Sequence, residues 1–179
     1  MSEKNHARMF ELENETAIDQ QGKDAELKAL SLNWNIQTSR YKYTYHFSSL
    51  GRPIIQFPQD MVALQEIIWK TRPDLIIETG IAHGGSLILS ASMLALLDYC
   101  DAVEAGTPLD PRSSNRKVLG IDIDIRAHNR AAIEAHPMAH HIDMIEGSSV
   151  DGKIVAQVHA VAARHKKVMV ILDSNHTHE

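Results

Sequence analysis

Glu78, Gly80, Gly84, Gly85 and Ser86 fall close together in the stretch LIIETGIAHGGSL, at the end of an aliphatic run. A glycine at a strand end lets the backbone turn sharply, and a glycine pair at a helix start lets a ligand approach the main chain. The helix N-terminus then offers free N–H groups and a partial positive charge to a carboxylate or phosphate. The spacing is E-x-G-x-x-x-G-G-S. It departs from the dinucleotide pattern G-x-G-x-x-G, because Ala82 stands at the second glycine, and no G-K-[ST] follows as in a phosphate loop. Glu78 is badly placed to welcome a pyrophosphate but can receive an ammonium group. A second acid, Asp122, ends the next aliphatic run, KVLGIDID, where a ribose diol would hydrogen-bond to it. An amino-acid end plus a ribose describes S-adenosylmethionine. The plainer alternative makes Glu78 a helix cap and Asp122 a solvated strand end. Ser148 and Ser149, in EGSSVD after a third run, lie at the same edge, where hydroxyl and backbone could meet an adenine.

These residues need elements to hold them. From residue 74 the chain reads as short aliphatic strands alternating with helices: DLIIE, SLILSASMLALLDYC, KVLGIDID, RAHNRAAIEAH, HIDMIEG, GKIVAQVHAVAARHKK and VMVILD. That order argues for an α/β fold, a Rossmann-like parallel sheet flanked by helices, with ligands beyond the carboxyl ends of the strands. Ahead of it, FPQDMVALQEIIWKTRP is a punctuated helix, with Asp60 as its cap and Pro73 as its stop. Residues 24–32 carry leucines and helix formers, and the alternating YKYTYHF run reads as a strand or extended segment with one aromatic face. The expected division is a helical, aromatic-rich extension over 1–57 and a ligand-binding domain over 58–179. The window from Tyr41 to Phe57 is the best wall for a substrate pocket, with a packing layer over the sheet as the alternative.

Composition narrows the classes. The chain has 179 residues, enough for one sizeable core, and a formal charge of −5. No bulk attraction to nucleic acid follows from that charge. The single cysteine, Cys100, excludes an internal disulfide and a CxxC site, which suits a reduced, cytoplasmic compartment. The polar, acidic start is not a signal peptide. The apolar stretch from Leu87 to Leu97 is broken by serines and too short to span a bilayer, so no integral membrane segment is expected.

Four blocks, GRPIIQFPQDMVALQEIIW, DLIIETGIAHGGSLILSASML, VLGIDIDIRAHNR and VMVILDSNHTHE, together resemble the cephalosporin hydroxylase and rhamnosyl O-methyltransferase family, over roughly residues 40–179. The resemblance implies a class I methyltransferase fold, S-adenosylmethionine as cofactor, often a divalent metal such as Mg2+, and a small-molecule or lipid-linked sugar hydroxyl as acceptor. It makes Glu78, Gly80, Gly84, Gly85 and Ser86 the site for the methionine end and Asp122 the ribose ligand. Asp173, ending the fourth strand, is similar to the first metal carboxylate of magnesium-dependent O-methyltransferases, and His176 would take the acceptor's proton.

The sequence stops at Glu179, after four strands of this series, where the family's later strands and remaining metal carboxylates would follow. The expectation is a truncated sheet with an unpaired edge, which invites self-association. A domain that binds S-adenosylmethionine without turnover is the first alternative. The second is a zinc hydrolase, since HTHE after an aliphatic strand is similar to the metallo-β-lactamase signature. The preceding βαβ units argue against it. The glycine pattern argues against a hydride-transferring nucleotide enzyme.

Overall fold

The structure, a computed structural model, describes residues 3–174. The chain divides into two compact units, one ending at Tyr43 and the other beginning at Thr44. The break lies earlier than the one expected at 57/58, because the short hairpin before residue 57 folds with the sheet. The first unit holds α1 (Glu3–Lys23) and α2 (Ala25–Ser39). Asp24 separates them and caps α2, its carboxylate accepting the Leu27 N–H at 2.9 Å.

The aromatic run that follows α2 is not one strand. The N–H groups of Tyr41 and Lys42 bond back to the carbonyls of Thr38 and Ser39, and Tyr43–Tyr45 is a 3-10 turn. These backbone groups are consumed in closing the helix, so extended structure starts only at Phe47.

The second unit begins with the antiparallel hairpin of β1 (Phe47–Ser49) and β2 (Arg52–Ile54). Its turn places Leu50 and Gly51 at φ 44° and 86°, the doubly left-handed pair that suits a two-residue hairpin. Next comes α3 (Pro58–Thr71). Asp60 does not cap it as expected. Phe57 occupies the cap position with no side-chain bond, Pro58 opens the helix, and Asp60 lies inside the first turn, where its charge still suits the dipole. Arg72, left-handed at φ 48°, ends the helix just before Pro73.

The remaining elements are β3 (Leu75–Thr79), α4 (Gly85–Ala105), β4 (Lys117–Asp122), α5 (Ala127–Glu134), β5 (Ile142–Glu146), α6 (Gly152–Ala162) and β6 (Val168–Leu172). The sheet order is β5-β4-β3-β6, and every pair is parallel. The chain steps outward from β3 to β5, then returns to the other side of β3. That reversal opens a crevice at the carboxyl ends of β3 and β6.

Two apolar layers hold the sheet. On one face Ile76 and Val118 pack with Ile68 of α3, Ile133 of α5, and Leu87, Ile88, Ala91, Leu94 and Leu97 of α4. On the other, Leu75, Ile77, Leu119 and Ile121 lie under Ile154, Val158 and Val161 of α6. β3 is buried along its whole length, so its residues read as a continuous apolar run rather than an alternating one. The α4 helix extends past Leu97 to 21 residues, long and apolar enough by itself to cross a membrane. Its leucine face is a wall of this core, which accounts for that composition.

The amino ends of the strands are closed by polar contacts. Asp74 accepts the N–H groups of Lys166 and Lys167, both at 2.8 Å, pinning the entry of β6 beside β3. Arg116 pairs with Asp98 and, at 2.7 Å, with Asp101, which also pairs with Arg72. Leu94 is fully buried at the centre of the larger layer. Leu94→Ala should therefore lower the unfolding free energy by about 2–5 kcal/mol in urea titration, with the fold retained.

Candidate functional site

A cavity of about 620 Å³ lies at the carboxyl ends of the strands. Each strand of the sheet contributes to its wall: Thr79 at the end of β3 and Gly80 after it, Asp122 at the end of β4, Ser148 and Ser149 after β5, and Asp173 after β6. Gly85 and Ser86 supply the start of α4, and Pro53, Ile54 and Ile55 close the side. The residues of the window from Tyr41 to Phe57 that line this cavity are Pro53, Ile54 and Ile55, none of them aromatic. Seven of the residues singled out from sequence, Gly80, Gly85, Ser86, Asp122, Ser148, Ser149 and Asp173, meet on this one surface. Glu78 and Gly84 are not on it, and His176 and the rest of the HTHE end lie outside the described residues.

The glycine loop has a different internal logic from the one its spacing suggests. Gly80 turns the chain at φ 92°, and its N–H continues the β4 ladder by donating to the Ile121 carbonyl at 2.8 Å. A β-carbon there would collide with the Asp173 carbonyl of the neighbouring strand end. At Gly85 a β-carbon would collide with the Pro53 carbonyl and stand 2.7 Å from Ile54 Cβ, and at Gly84 with the Ile133 side chain. The glycine pair therefore lets the hairpin and α5 approach the loop. Only Gly85 also faces the cavity.

Asp122 is fixed by the backbone around it. Its Oδ2 accepts the Ile81 N–H at 2.7 Å and the Ala82 N–H at 3.4 Å, and its Oδ1 accepts the Asp124 N–H at 3.2 Å. An ionised carboxylate has about four acceptor sites, so capacity remains for a further donor, such as a diol.

Glu78 is 1 % exposed. Its Oε1 accepts the Ser86 hydroxyl, and its Oε2 is buried with no hydrogen-bond partner. Burial, opposed by the Ser86 hydrogen bond and reinforced by the nearby Asp173 charge, pushes its carboxyl up to about 7. It faces a smaller cavity of about 290 Å³ walled by α3 and β6 rather than the main one. An ammonium group in the main cavity would meet the Ser86 hydroxyl there, with Glu78 acting through it. Thr79 Oγ1, beside it on the main wall, is also buried without a partner.

Asp173 is half-buried, with its Oδ2 accepting from the Gln56 side chain at 3.1 Å. Among the described residues no group of three or more His, Cys, Asp or Glu is arranged to hold a metal ion. The described residues thus give the expected Mg2+ one carboxylate and no complete donor set.

Sequence reasoning missed Arg52 and Asn129. Arg52 donates to the His83 carbonyl from Nε at 3.1 Å and from Nη2 at 2.6 Å, and reaches Asn129 Oδ1 at 3.3 Å. Asn129, 4 % exposed, donates to the Ala82 carbonyl at 2.9 Å. A lone arginine in a hairpin and an asparagine in a helix carry no spacing signal. An asparagine within an otherwise helical run was the one available hint.

A sequence model described as rhamnosyl O-methyltransferase/CmcI matches residues 41–179, the span that carries this cavity. The chain belongs to that family. No curated protein matches it. Among solved structures, an apo-structure of CmcI is 18% identical, with 75% of this chain and 48% of that one covered and a TM-score of 0.49. CmcI with Mg-SAM is 17% identical over 75% of this chain and 48% of that one, at 0.45. An O-methyltransferase from Bacillus cereus in complex with SAH is 14% identical over 88% and 60%, at 0.39. The chain spans about half the length of the CmcI structures it matches. Family membership agrees with the resemblance carried by the four sequence blocks.

Two outcomes follow from this geometry. Between pH 4.5 and about 7 the folded chain keeps a proton on Glu78 that the unfolded chain has released, so stability falls as pH rises through that window. The full cost above it is about 3 kcal/mol. Thermal melts of wild type against Glu78→Gln should converge near pH 4.5 and diverge towards pH 7.5, with the variant the more stable. Gly80→Ala places a side chain against the Asp173 backbone at a left-handed residue. It should cost more than the roughly 1 kcal/mol of a left-handed alanine alone, read by urea unfolding.

Proposed function

We propose that the strand-end cavity binds S-adenosylmethionine, and that the chain serves an O-methyltransferase acting on a small-molecule hydroxyl, with a sugar or lipid-linked sugar as the acceptor class. The observation that carries this reading is the charge of the wall. Its described residues include two carboxylates, Asp122 and Asp173, and no lysine or arginine. A nucleotide pyrophosphate would meet repulsion there, whereas a ligand with a cationic sulfonium and ammonium meets attraction. The volume, about 620 Å³, lies within the usual range for a small-ligand site of roughly 300–1,000 Å³. The spare acceptor capacity of Asp122 is what a ribose diol would satisfy.

In this reading the cofactor supplies an electrophilic methyl group, and the chain supplies placement. Asp122, held by loop N–H groups, accepts from the ribose diol. Ser86 and the backbone at Gly80 meet the amino-acid end, with Glu78 buried beneath Ser86 to answer its positive charge. Ser148 and Ser149 flank the adenine. Bringing an acceptor oxygen into line with the methyl carbon converts an encounter into a near-unimolecular step. The acceptor's proton leaves at the β6 end, where Asp173 lies on the wall and His176 follows in sequence. The acceptor class rests on the family description alone. One of the CmcI structures is of the protein with Mg-SAM, and magnesium in this chain would use Asp173.

Calorimetric titration of the purified chain with S-adenosylmethionine tests the reading. Wild type should bind, and Asp122→Ala should weaken binding by about ten- to a hundredfold, as expected for one or two hydrogen bonds to a charged group. At a hundredfold excess over the dissociation constant the cofactor should stabilise the fold by about 2.7 kcal/mol. Absence of both heat and stabilisation in wild type would refute it. A binding-only domain would give the same titration and release no S-adenosylhomocysteine with any acceptor.

A further inference from the structure

The hairpin of β1 and β2 is fastened to the glycine loop by two side chains that converge from distant parts of the chain. We propose that Arg52 and Asn129 are positioning residues of the cofactor site: they grip two consecutive loop carbonyls and so set both the shape of the glycine loop and the position of the cavity's hairpin wall. Their link to the cofactor rests on the S-adenosylmethionine reading of the cavity.

The loop between β3 and α4 has little to hold its middle in place. Gly84 N–H bonds to the Ile81 carbonyl at 2.8 Å, and the N–H groups of Ile81 and Ala82 turn towards Asp122. The carbonyls of Ala82 and His83 face away from these bonds and take external donors. Asn129 takes the first and Arg52 takes the second with two nitrogens, while Arg52 also reaches Asn129 Oδ1. A trans peptide opposes its N–H to its C=O. Holding the Ala82 carbonyl at Asn129 therefore aims the His83 N–H to the opposite side.

Ala82 makes the need for a clamp visible. It is a non-glycine residue at φ 45°, a left-handed conformation that persists only where surroundings over-determine it. The bond from a nearly fully buried Asn129 to its carbonyl is such a determinant.

The same arginine sets the wall. It sits at the first position of β2, directly before Pro53, whose carbonyl packs on Gly85, and before Ile54 and Ile55, which line the cavity. The turn of the hairpin, two residues before Arg52, has a separate anchor in His136 Nε2, 3.0 Å from the Leu50 carbonyl. With the tip anchored there, loss of Arg52 should loosen the loop and the neighbouring wall without releasing the whole hairpin.

The test uses the full chain with Arg52→Ala, Arg52→Lys and Asn129→Ala. Amide hydrogen exchange over residues 80–88 reads the loop, and calorimetry with S-adenosylmethionine reads the site. In Arg52→Ala the loop should exchange about tenfold or more faster, and binding should weaken by about ten- to a hundredfold. Added guanidinium at low millimolar concentration should restore part of both, which a general loss of stability would not allow. Arg52→Lys keeps one donor for the His83 carbonyl and should fall between, and it also serves if the alanine variant does not fold. If wild type binds and Arg52→Ala binds equally well with unchanged loop exchange, the proposal is overturned. If wild type itself does not bind, the cofactor reading fails, and the exchange data still decide the clamp: unchanged protection in all three variants would overturn it.

Discussion

The site depends on a steric constraint at one residue. At Gly80 the ends of three parallel strands come within contact: its N–H extends the ladder to β4, and its α-carbon lies against the Asp173 backbone at the end of β6. Parallel strands bound together to their last residue bring their following loops into one cluster. Asp122, Ser148 and Asp173 line one cavity for that reason, although each belongs to the end of a different strand or the loop after it. A side chain at position 80 would wedge β3 from β6 at the point where the chain reverses its winding, and the crevice exists because of that reversal.

Glu78 shows what the same packing costs. It is buried near the end of β3, with one oxygen satisfied by Ser86 of α4 and the other by nothing. An ionised carboxylate there forfeits solvation that one hydroxyl cannot replace, so the group titrates near neutrality instead of near 4.5. Such a residue is a net burden on the fold unless a ligand alters the balance. A cationic group at Ser86 would do so by favouring the ionised form, which links the stability of the loop to occupation of the cavity.

Much of this was legible in the sequence, for a physical reason. The strands LIIET, KVLGID and VMVIL announce themselves as aliphatic runs, the first two because they are buried almost throughout, the third although it is an edge strand with Val168, Val170 and Leu172 exposed. The residues ending such runs must lie at one edge of a parallel sheet. Asp122, Ser148 and Asp173 could therefore be assigned to a common surface from the order of the runs alone. Properties that depend on what packs against a residue were not legible. The pair Gly84 and Gly85 reads as ligand clearance, yet it meets Ile133 and Pro53. Glu78 reads as a ligand-facing acid, yet strand alternation turns it to the α3 and α4 face, while Thr79 turns to the other. The YKYTYHF run alternates like a strand, but helix closure takes its first backbone donors. Arg52 and Asn129 are separated by 77 residues, and no local pattern marks two side chains that meet only in the folded state.

The electrostatic character of the cavity follows from the same arrangement. Four N–H groups of the loop are bonded within the protein: Ile81 and Ala82 donate to Asp122, Gly80 to Ile121, and Gly84 to Ile81. This first half of the turn is thus turned inward, and the carboxylates of Asp122 and Asp173 line the cavity beside it. Ala82 is central to this turn. As a left-handed residue whose N–H goes to Asp122 and whose carbonyl goes to Asn129, it locks the loop in the form that consumes its own donors. The departure from G-x-G-x-x-G therefore has a structural meaning: Ala82 ties the loop to Asp122 on one side and Asn129 on the other, and the hairpin clamped to the loop walls the cavity that Asp122 and Asp173 also line.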